Sequence, residues 1–218
     1  MTFNIKEVFT RSRQCSSDWL VLQSKSLLDE AIRARNASAL VYAALEARNA
    51  IEQLWFEIVM LLHGGEIDSE TLAQCRKKDG FLNVMRKATP DYYALASFTK
   101  LCCSIGPPLL PEIIVWDIKR LKKQWIAVSA YCHTQAHPRD TLADPQWFDK
   151  GFQIVQSVFD YMSANMSQAD TGIMQPSQMA KHVKPIWEDF RVGAITEEQV
   201  LLRLKISQPV SGGSIITP

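Results

Sequence analysis

The chain has 218 residues, 47% of them hydrophobic, with 24 basic side chains against 23 acidic ones. That length supports one sizeable core, or a main domain with a small appendage. A net charge of +1 argues against coating nucleic acid or anionic membrane by bulk electrostatics, and no apolar run approaches the ~20 residues that span a bilayer.

The periodicity is helical nearly throughout, and no segment shows convincing strand alternation. A first helix is expected over 17–35, with Trp19, Leu20, Leu27, Leu28, Ala31 and Ile32 on its apolar side. "RNAS" breaks it, and a long second helix is expected over 38–62. Gly64-Gly65 then reads as a helix stop and not as a phosphate loop, since no strand precedes it and no Lys-Ser or Lys-Thr follows. Ser69 is expected to cap a short helix ending at 78, a second short helix covers 80–87, and Pro90 opens a third that "GPPLLP" at 106–111 ends. Two strong helices are expected over 112–136 and 145–166.

The polar, turn-rich "SQADTGIMQPSQ" at 167–178 reads as a linker. Beyond it, two short helices joined at Val192-Gly193 form an appendage over 179–206, and 207–218 reads as a flexible tail. Thr196 followed by Glu197 and Glu198 is a good helix start. The helix-turn-helix look of 183–206 reads as a packing subdomain or docking arm, because Gln199, Arg203 and Lys205 stand beside two acids. The expected architecture is all-α: an antiparallel helical bundle over 1–166 with a small C-terminal helical appendage.

The opening "MTFNIKEVFTRSRQ" has no apolar core of the signal-peptide kind, so a cytoplasmic protein is expected. The five cysteines, Cys15, Cys75, Cys102, Cys103 and Cys132, contain no CxxC pair. In a reducing compartment they read as buried thiols.

Two helices carry the chemistry. At about 100° per residue, Val41, Ala44, Ile51, Trp55, Val59 and Leu62 gather on one side of the second helix, with Arg48 in their midst. A guanidinium there needs a partner. Glu52 one turn later, Asp117, or a group from another helix would serve. In the 112–136 helix, Ile114, Ile118, Leu121, Trp125, Val128 and Cys132 form the apolar stripe, while His133 falls at its border. His133 and His137 stand at i and i+4, the spacing of a zinc-binding pair. Thr134, however, occupies the position of the usual catalytic Glu, and Pro138 disfavours helix at His137. No third ligand has a recommending spacing, so neither a metal nor any other cofactor is expected. Cys132 lies in the core stripe, and no GxSxG elbow accompanies Ser129.

"YAALEARNAIEQLWFEIVMLL" (42–62) and "WIAVSAYCHTQAHP" (125–138) resemble the long early helix and the late histidine-ended helix of the HEPN superfamily. These are small all-α domains of prokaryotic toxin–antitoxin and phage-defence systems. The resemblance implies a HEPN-like bundle that self-associates as a dimer and engages RNA or a protein partner. Ribonuclease members carry Arg, four to six variable residues, then His, and act without metal. Counting back from His133 gives Ile126, Ala127 and Val128, and from His137 gives Ala130, Tyr131 and Cys132, so the motif is not intact. The resemblance therefore implies a non-catalytic or degenerate module. The alternatives are a ribonuclease in which His133, with His137, works beside Arg48 from the other helix, and an unrelated adaptor bundle.

Basic clusters at 76–78, 86–87 and 119–123 stand near Tyr92, Tyr93 and Trp116 in the expected layout. Cations beside aromatics suit single-stranded RNA. Lys119, Lys122, Lys123, Trp116 and Arg139 form the expected RNA- or partner-binding set. Trp116, off its helix's core stripe, is read as an interface aromatic.

Overall fold

The computed structural model describes residues 3–4, 16–77, 79–105, 115–132, 144–168, 174 and 176–207. In chain order these form α1 (Ser17–Ala34), α2 (Ala37–Leu62), α3 (Ser69–Cys75), α4 (Gly80–Ala88), α5 (Tyr92–Ser104), α6 (Ile118–Ser129), α7 (Pro145–Gln168), α8 (Lys184–Arg191) and α9 (Glu197–Ser207), with a 3-10 turn at Pro176–Gln178. The protein is an all-α helical bundle, as its periodicity predicts. Strand structure among the described residues is one antiparallel pair, β1 (Phe3–Asn4) against β2 (Glu66–Ile67), with Phe3 opposite Ile67. A two-residue strand is too short to leave an alternation for sequence reading to find.

Local chemistry sets most helix ends. Arg35 closes α1 in the left-handed region at φ 47°, and the Asn36 side chain then accepts from the Ser38 and Ala39 amides, at 2.9 and 3.2 Å, to start α2. At the far end of α2, Gly64 (φ 74°) and Gly65 (φ 88°) donate to the Leu61 and Met60 carbonyls. This is a helix-terminating Schellman turn. Two expected starts are corrected. Asp68, not Ser69, caps α3 by accepting the Thr71 amide at 2.6 Å. α5 begins at Tyr92, with Asp91 and not Pro90 before it.

The expected 112–136 helix is shorter. Asp117 accepts the Arg120 amide at 3.0 Å and thereby starts α6, and the chain leaves the helix at Ala130. A short carboxylate that bonds the backbone ahead of it competes with continuation of a helix through it. The segments 106–114 and 133–143, which hold "GPPLLP" and the outer turns of the expected helix, lie outside the described residues.

The main core gathers α1, α2, α4, α6 and α7. Leu28, Leu40, Ile51, Met60, Leu121, Val128, Val155 and Met162 are fully enclosed. Ala39, Ala43, Ala44, Ala47 and Ala50 are also buried, and their small side chains let α1 approach α2 closely. On α1 the buried face is Leu20, Val21, Ser24, Leu28 and Ala31. Trp19 and Ile32 are exposed, which rotates that face from the expected one. Ser24 fits because its hydroxyl donates to the Ala43 carbonyl at 2.9 Å.

A second core joins α5 to the C-terminal helices. Leu95 and Phe98 are fully buried against Met179, Ile186, Trp187, Ile195, Val200 and Leu204. The Phe98 ring centroid lies 5.4 Å from that of Trp187 and 5.8 Å from that of Phe190. The Met174 amide, from the expected linker, donates to Thr99 Oγ1 at 3.1 Å. The appendage is thus built around a helix from the middle of the chain. Its start is a reciprocal box: Gln199 Oε1 accepts the Thr196 amide at 2.9 Å, and Thr196 Oγ1 accepts the Gln199 amide at 3.4 Å. Arg203 donates to Asp189 at 2.5 Å, which binds α9 to α8. Two of the three side chains weighed for groove reading are therefore engaged inside the subdomain. Among the described residues, no helix is long and apolar enough to cross a membrane.

Candidate functional site at Arg48

α2 places Arg48 beside Ala44, Ile51 and Trp55, all buried, while its own side chain stays 27% exposed. It therefore lies at the rim of the core face and not in its midst, which relieves the desolvation cost of a central position. Its partner is Glu52: Nε donates to Oε1 at 3.0 Å, one turn along the same helix. The same carboxylate oxygen accepts the Trp125 indole N–H at 2.8 Å from α6. The guanidinium stands 5.1 Å from the Trp125 ring centroid, and the Trp125 and Trp55 centroids are 6.0 Å apart. One carboxylate thus orients a cation and the aromatic ring beneath it, an arrangement worth more than either contact alone. Asp117, the other acid weighed for Arg48, starts α6 instead.

The Arg48 guanidinium also lies close enough to the Cys132 thiol to act on it electrostatically. Burial pushes that thiol's pKa up, Arg48 pulls it down, and the S–H donates to the Val128 carbonyl at 3.3 Å. Burial likewise pushes Cys75 up to about 11 and Cys102 up to about 12. These are protonated, poorly nucleophilic thiols at neutral pH; Cys75 is buried as expected, Cys102, Cys103 and Cys132 are only partly buried, and Cys15 lies outside the described residues.

Arg48, Glu52, Trp125 and Cys75 border a cleft of about 520 Å³, whose other walls include Arg76, Lys77, Asp79 and Phe81. An adjoining hollow of about 390 Å³ shares Glu52, Arg76 and Phe81 and continues along α2. Gly80 makes the cleft's tight corner: a Cβ there would fall 2.1 Å from the Gln74 carbonyl oxygen and 2.5 Å from that of Cys75. Trp55 lines the cleft, and its indole N–H, enclosed from solvent, has no hydrogen-bond partner among the described residues. Cations and aromatic faces equip this cleft for an anionic, ring-bearing ligand.

The other sequence candidates fall differently. His133, His137 and Arg139 lie outside the described residues. Lys119 and Lys122 line a separate cavity of about 280 Å³ with Arg86, Tyr92 and Tyr93, and Lys123 is exposed on α6 without lining it. Of the expected basic face, Arg76 and Lys77 belong to the first cleft and Arg86, Lys119 and Lys122 to the second. Trp116 is corrected: it is 4% exposed and packs edge-on against Tyr161 of α7, at 5.9 Å between centroids. The helical-wheel argument misplaced it because Trp116 precedes the first residue of α6 and does not follow that helix's phase. The polar role of Trp125 was hidden by its place in the apolar stripe; the Glu52 one turn beyond Arg48 was the legible part of the network.

Among the described residues, no group of three or more His, Cys, Asp or Glu side chains is placed to hold a metal ion. Comparison with protein families, curated proteins and solved structures found no match for this chain.

Proposed function

We propose that this chain is a non-catalytic or degenerate HEPN-like helical module that binds RNA through the Arg48 cleft. The observation that carries the reading is the Arg48–Glu52–Trp125 assembly, a cation held against an aromatic face at the mouth of a cleft whose rim adds Arg76 and Lys77. Phosphate pairs with the guanidinium and the rim cations, and an unstacked base lies on an indole. Self-association as a dimer and a cytoplasmic setting belong to the same proposal. The test is fluorescence anisotropy with a labelled single-stranded RNA. Arg48→Ala and Arg76→Ala are expected to weaken binding about tenfold each, the effect of losing one charge-assisted contact. Affinity unchanged in both folded variants would overturn the reading.

A second reading, a metal-independent ribonuclease, draws support from one contact. Arg48 lies near enough to the thiol of Cys132, the residue before His133, to pull its pKa down. In that reaction His133 takes the 2′-hydroxyl proton as the 2′-oxygen attacks phosphorus, Arg48 stabilises the phosphorane charge, and the P–O5′ bond breaks with the departing 5′-oxygen taking a proton from water. RNA cleavage that persists in EDTA and is lost in both His133→Ala and Arg48→Ala would favour it over simple binding. No cleavage by the wild-type protein removes it.

A further inference from the structure

The second cavity, of about 280 Å³, lies between α4, the start of α5 and the start of α6. It is separate from the Arg48 cleft, with Leu82 in the wall of both. Four independent features meet there. Three cations, Arg86, Lys119 and Lys122, line it. Among the described residues Asp79 pairs with Lys122 at 3.3 Å, while Arg86 and Lys119 have no carboxylate partner; Asp91 and Asp117, at the starts of α5 and α6, are engaged by Arg191 and by the Arg120 amide. Lys119 stands over the Tyr93 ring at 5.8 Å, so a flat aromatic face and a cation share one wall, while Leu82, Met85 and Ile118 supply apolar surface.

Helix ends add to the positive field. Tyr92 and Tyr93 are the first residues of α5, and Ile118 and Lys119 are the first of α6, so two helix N-termini converge on the cavity. Asp91, at the α5 N-cap, makes no side-chain capping bond. Its carboxylate pairs with Arg191 of α8 at 3.7 Å, which leaves the first-turn amides of α5 without that internal acceptor. The α6 end is capped by Asp117, so it is the positive end of the α5 dipole that favours an anion.

Tyr92 itself is 5% exposed, and its hydroxyl, enclosed from solvent, has no hydrogen-bond partner among the described residues. Burial beside Tyr93 and Tyr161 raises its pKa, so the group is a neutral O–H donor at any physiological pH. Leaving such a donor unsatisfied is costly, and native interiors do so rarely. Tyr92 lines the cavity, and an oxygen acceptor that reaches the hydroxyl from there removes the deficit.

We propose that this cavity is a binding site for a small organic phosphate monoester. A phosphate monoester carries close to two negative charges near pH 7, which complements Arg86 and Lys119, the two cations without a carboxylate partner. Its three oxygens suit the Arg86 fork, a lysine and the Tyr92 hydroxyl, and a ring or short apolar body lies against Tyr93 and Ile118. A carboxylate would leave one positive charge uncompensated. This inference does not rest on RNA binding at Arg48, because the two linings share only Leu82, with the Asp79–Lys122 ion pair standing between them.

The experiment is isothermal calorimetry of the full chain with phenyl phosphate, inorganic phosphate and phenol. The expected result is one-to-one binding of phenyl phosphate, weaker binding of inorganic phosphate, and none of phenol. Tyr92→Phe and Arg86→Ala are each expected to weaken phenyl phosphate about tenfold, while Arg48→Ala leaves it unchanged. Arg86 is exposed, so its variant keeps the fold, and Tyr92→Phe removes an unpartnered group without loss of packing. Failure of phenyl phosphate to bind overturns the proposal. So does binding that ignores both substitutions, and so does a single-stranded RNA that requires Arg86 and Tyr92 when phenyl phosphate does not bind.

Discussion

Glu57 offers the sharpest check on how the two longest N-terminal helices are held together. It sits on α2, 8% exposed, and its carboxylate reaches the start of α1. Oε1 accepts the Ser17 amide at 3.0 Å, Oε2 accepts the Ser17 hydroxyl at 2.5 Å, and Gln53 donates to Oε1 at 3.1 Å. Ser16, at the N-cap position, makes no capping bond of its own, so Glu57 serves as a cap supplied by the neighbouring helix. In Glu57→Ala the amide and hydroxyl of Ser17, itself 4% exposed, lose their acceptors in a site that water barely reaches. Loss of a cap costs about 1 kcal/mol and an unsatisfied buried group about 1–3 kcal/mol, so about 3 kcal/mol is expected in all. At roughly 2–4 °C per kcal/mol, the melting temperature should fall by roughly 6–12 °C.

The pH dependence separates charge from hydrogen bonding. Burial raises the Glu57 pKa above 4.5, outweighing the Ser17 bonds that lower it. The folded protein therefore holds this proton to higher pH than the unfolded chain does. Stability from this group is present below 4.5 and falls as pH rises through the folded pKa, beyond which it levels off. Glu57→Gln keeps an oxygen for the Ser17 amide and removes the ionisation. Urea unfolding across that window should show a smaller decline with pH in the variant than in the wild type. An alanine variant within about 0.5 kcal/mol of wild type, a shift typical of an inconsequential surface change, would refute the capping argument. Identical pH slopes in wild type and the glutamine variant would refute the burial argument.

Two further outcomes follow from packing. Trp116→Ala should destabilise the monomer by about 3–5 kcal/mol, as expected for a buried tryptophan; thermal unfolding checks this, and lost self-association at unchanged stability would restore the interface reading. Gly80→Ala pushes a methyl group into two backbone carbonyls at the α3–α4 corner, which cannot move as a side-chain tip can. A cost of about 1–3 kcal/mol is expected from such overpacking, read as a lower urea midpoint, with a local spectral change at Trp55 and Trp125.

Much of the fold was legible because helix signals are local. The alternation of apolar residues at helical spacing, the Gly64-Gly65 stop, the break at Asn36 and the Thr196 start all act through backbone atoms within a turn or two, and they appear in the structure near where they were read. Misreadings arose where a local competitor lay one position away, as with Asp68 before Ser69, or where a carboxylate such as Asp117 ended a phase that was extended through it.

The candidate site was legible only in part. Arg48 announced itself as a cation on an apolar face, and Glu52 as its nearest acid, since both lie on one helix. That Trp125 shares the same carboxylate, that Arg86 and Tyr92 face one cavity with Lys119 and Lys122, and that α5 belongs to the core of the C-terminal helices depended on how distant segments pack. The sequence by itself determined the helices, their ends and their charged residues, because those are settled by short-range hydrogen bonds and periodicity. Tertiary structure alone decided which faces meet, because each amphipathic helix can bury its apolar side against many others, and the choice is made by shape and by the partners that buried polar groups require.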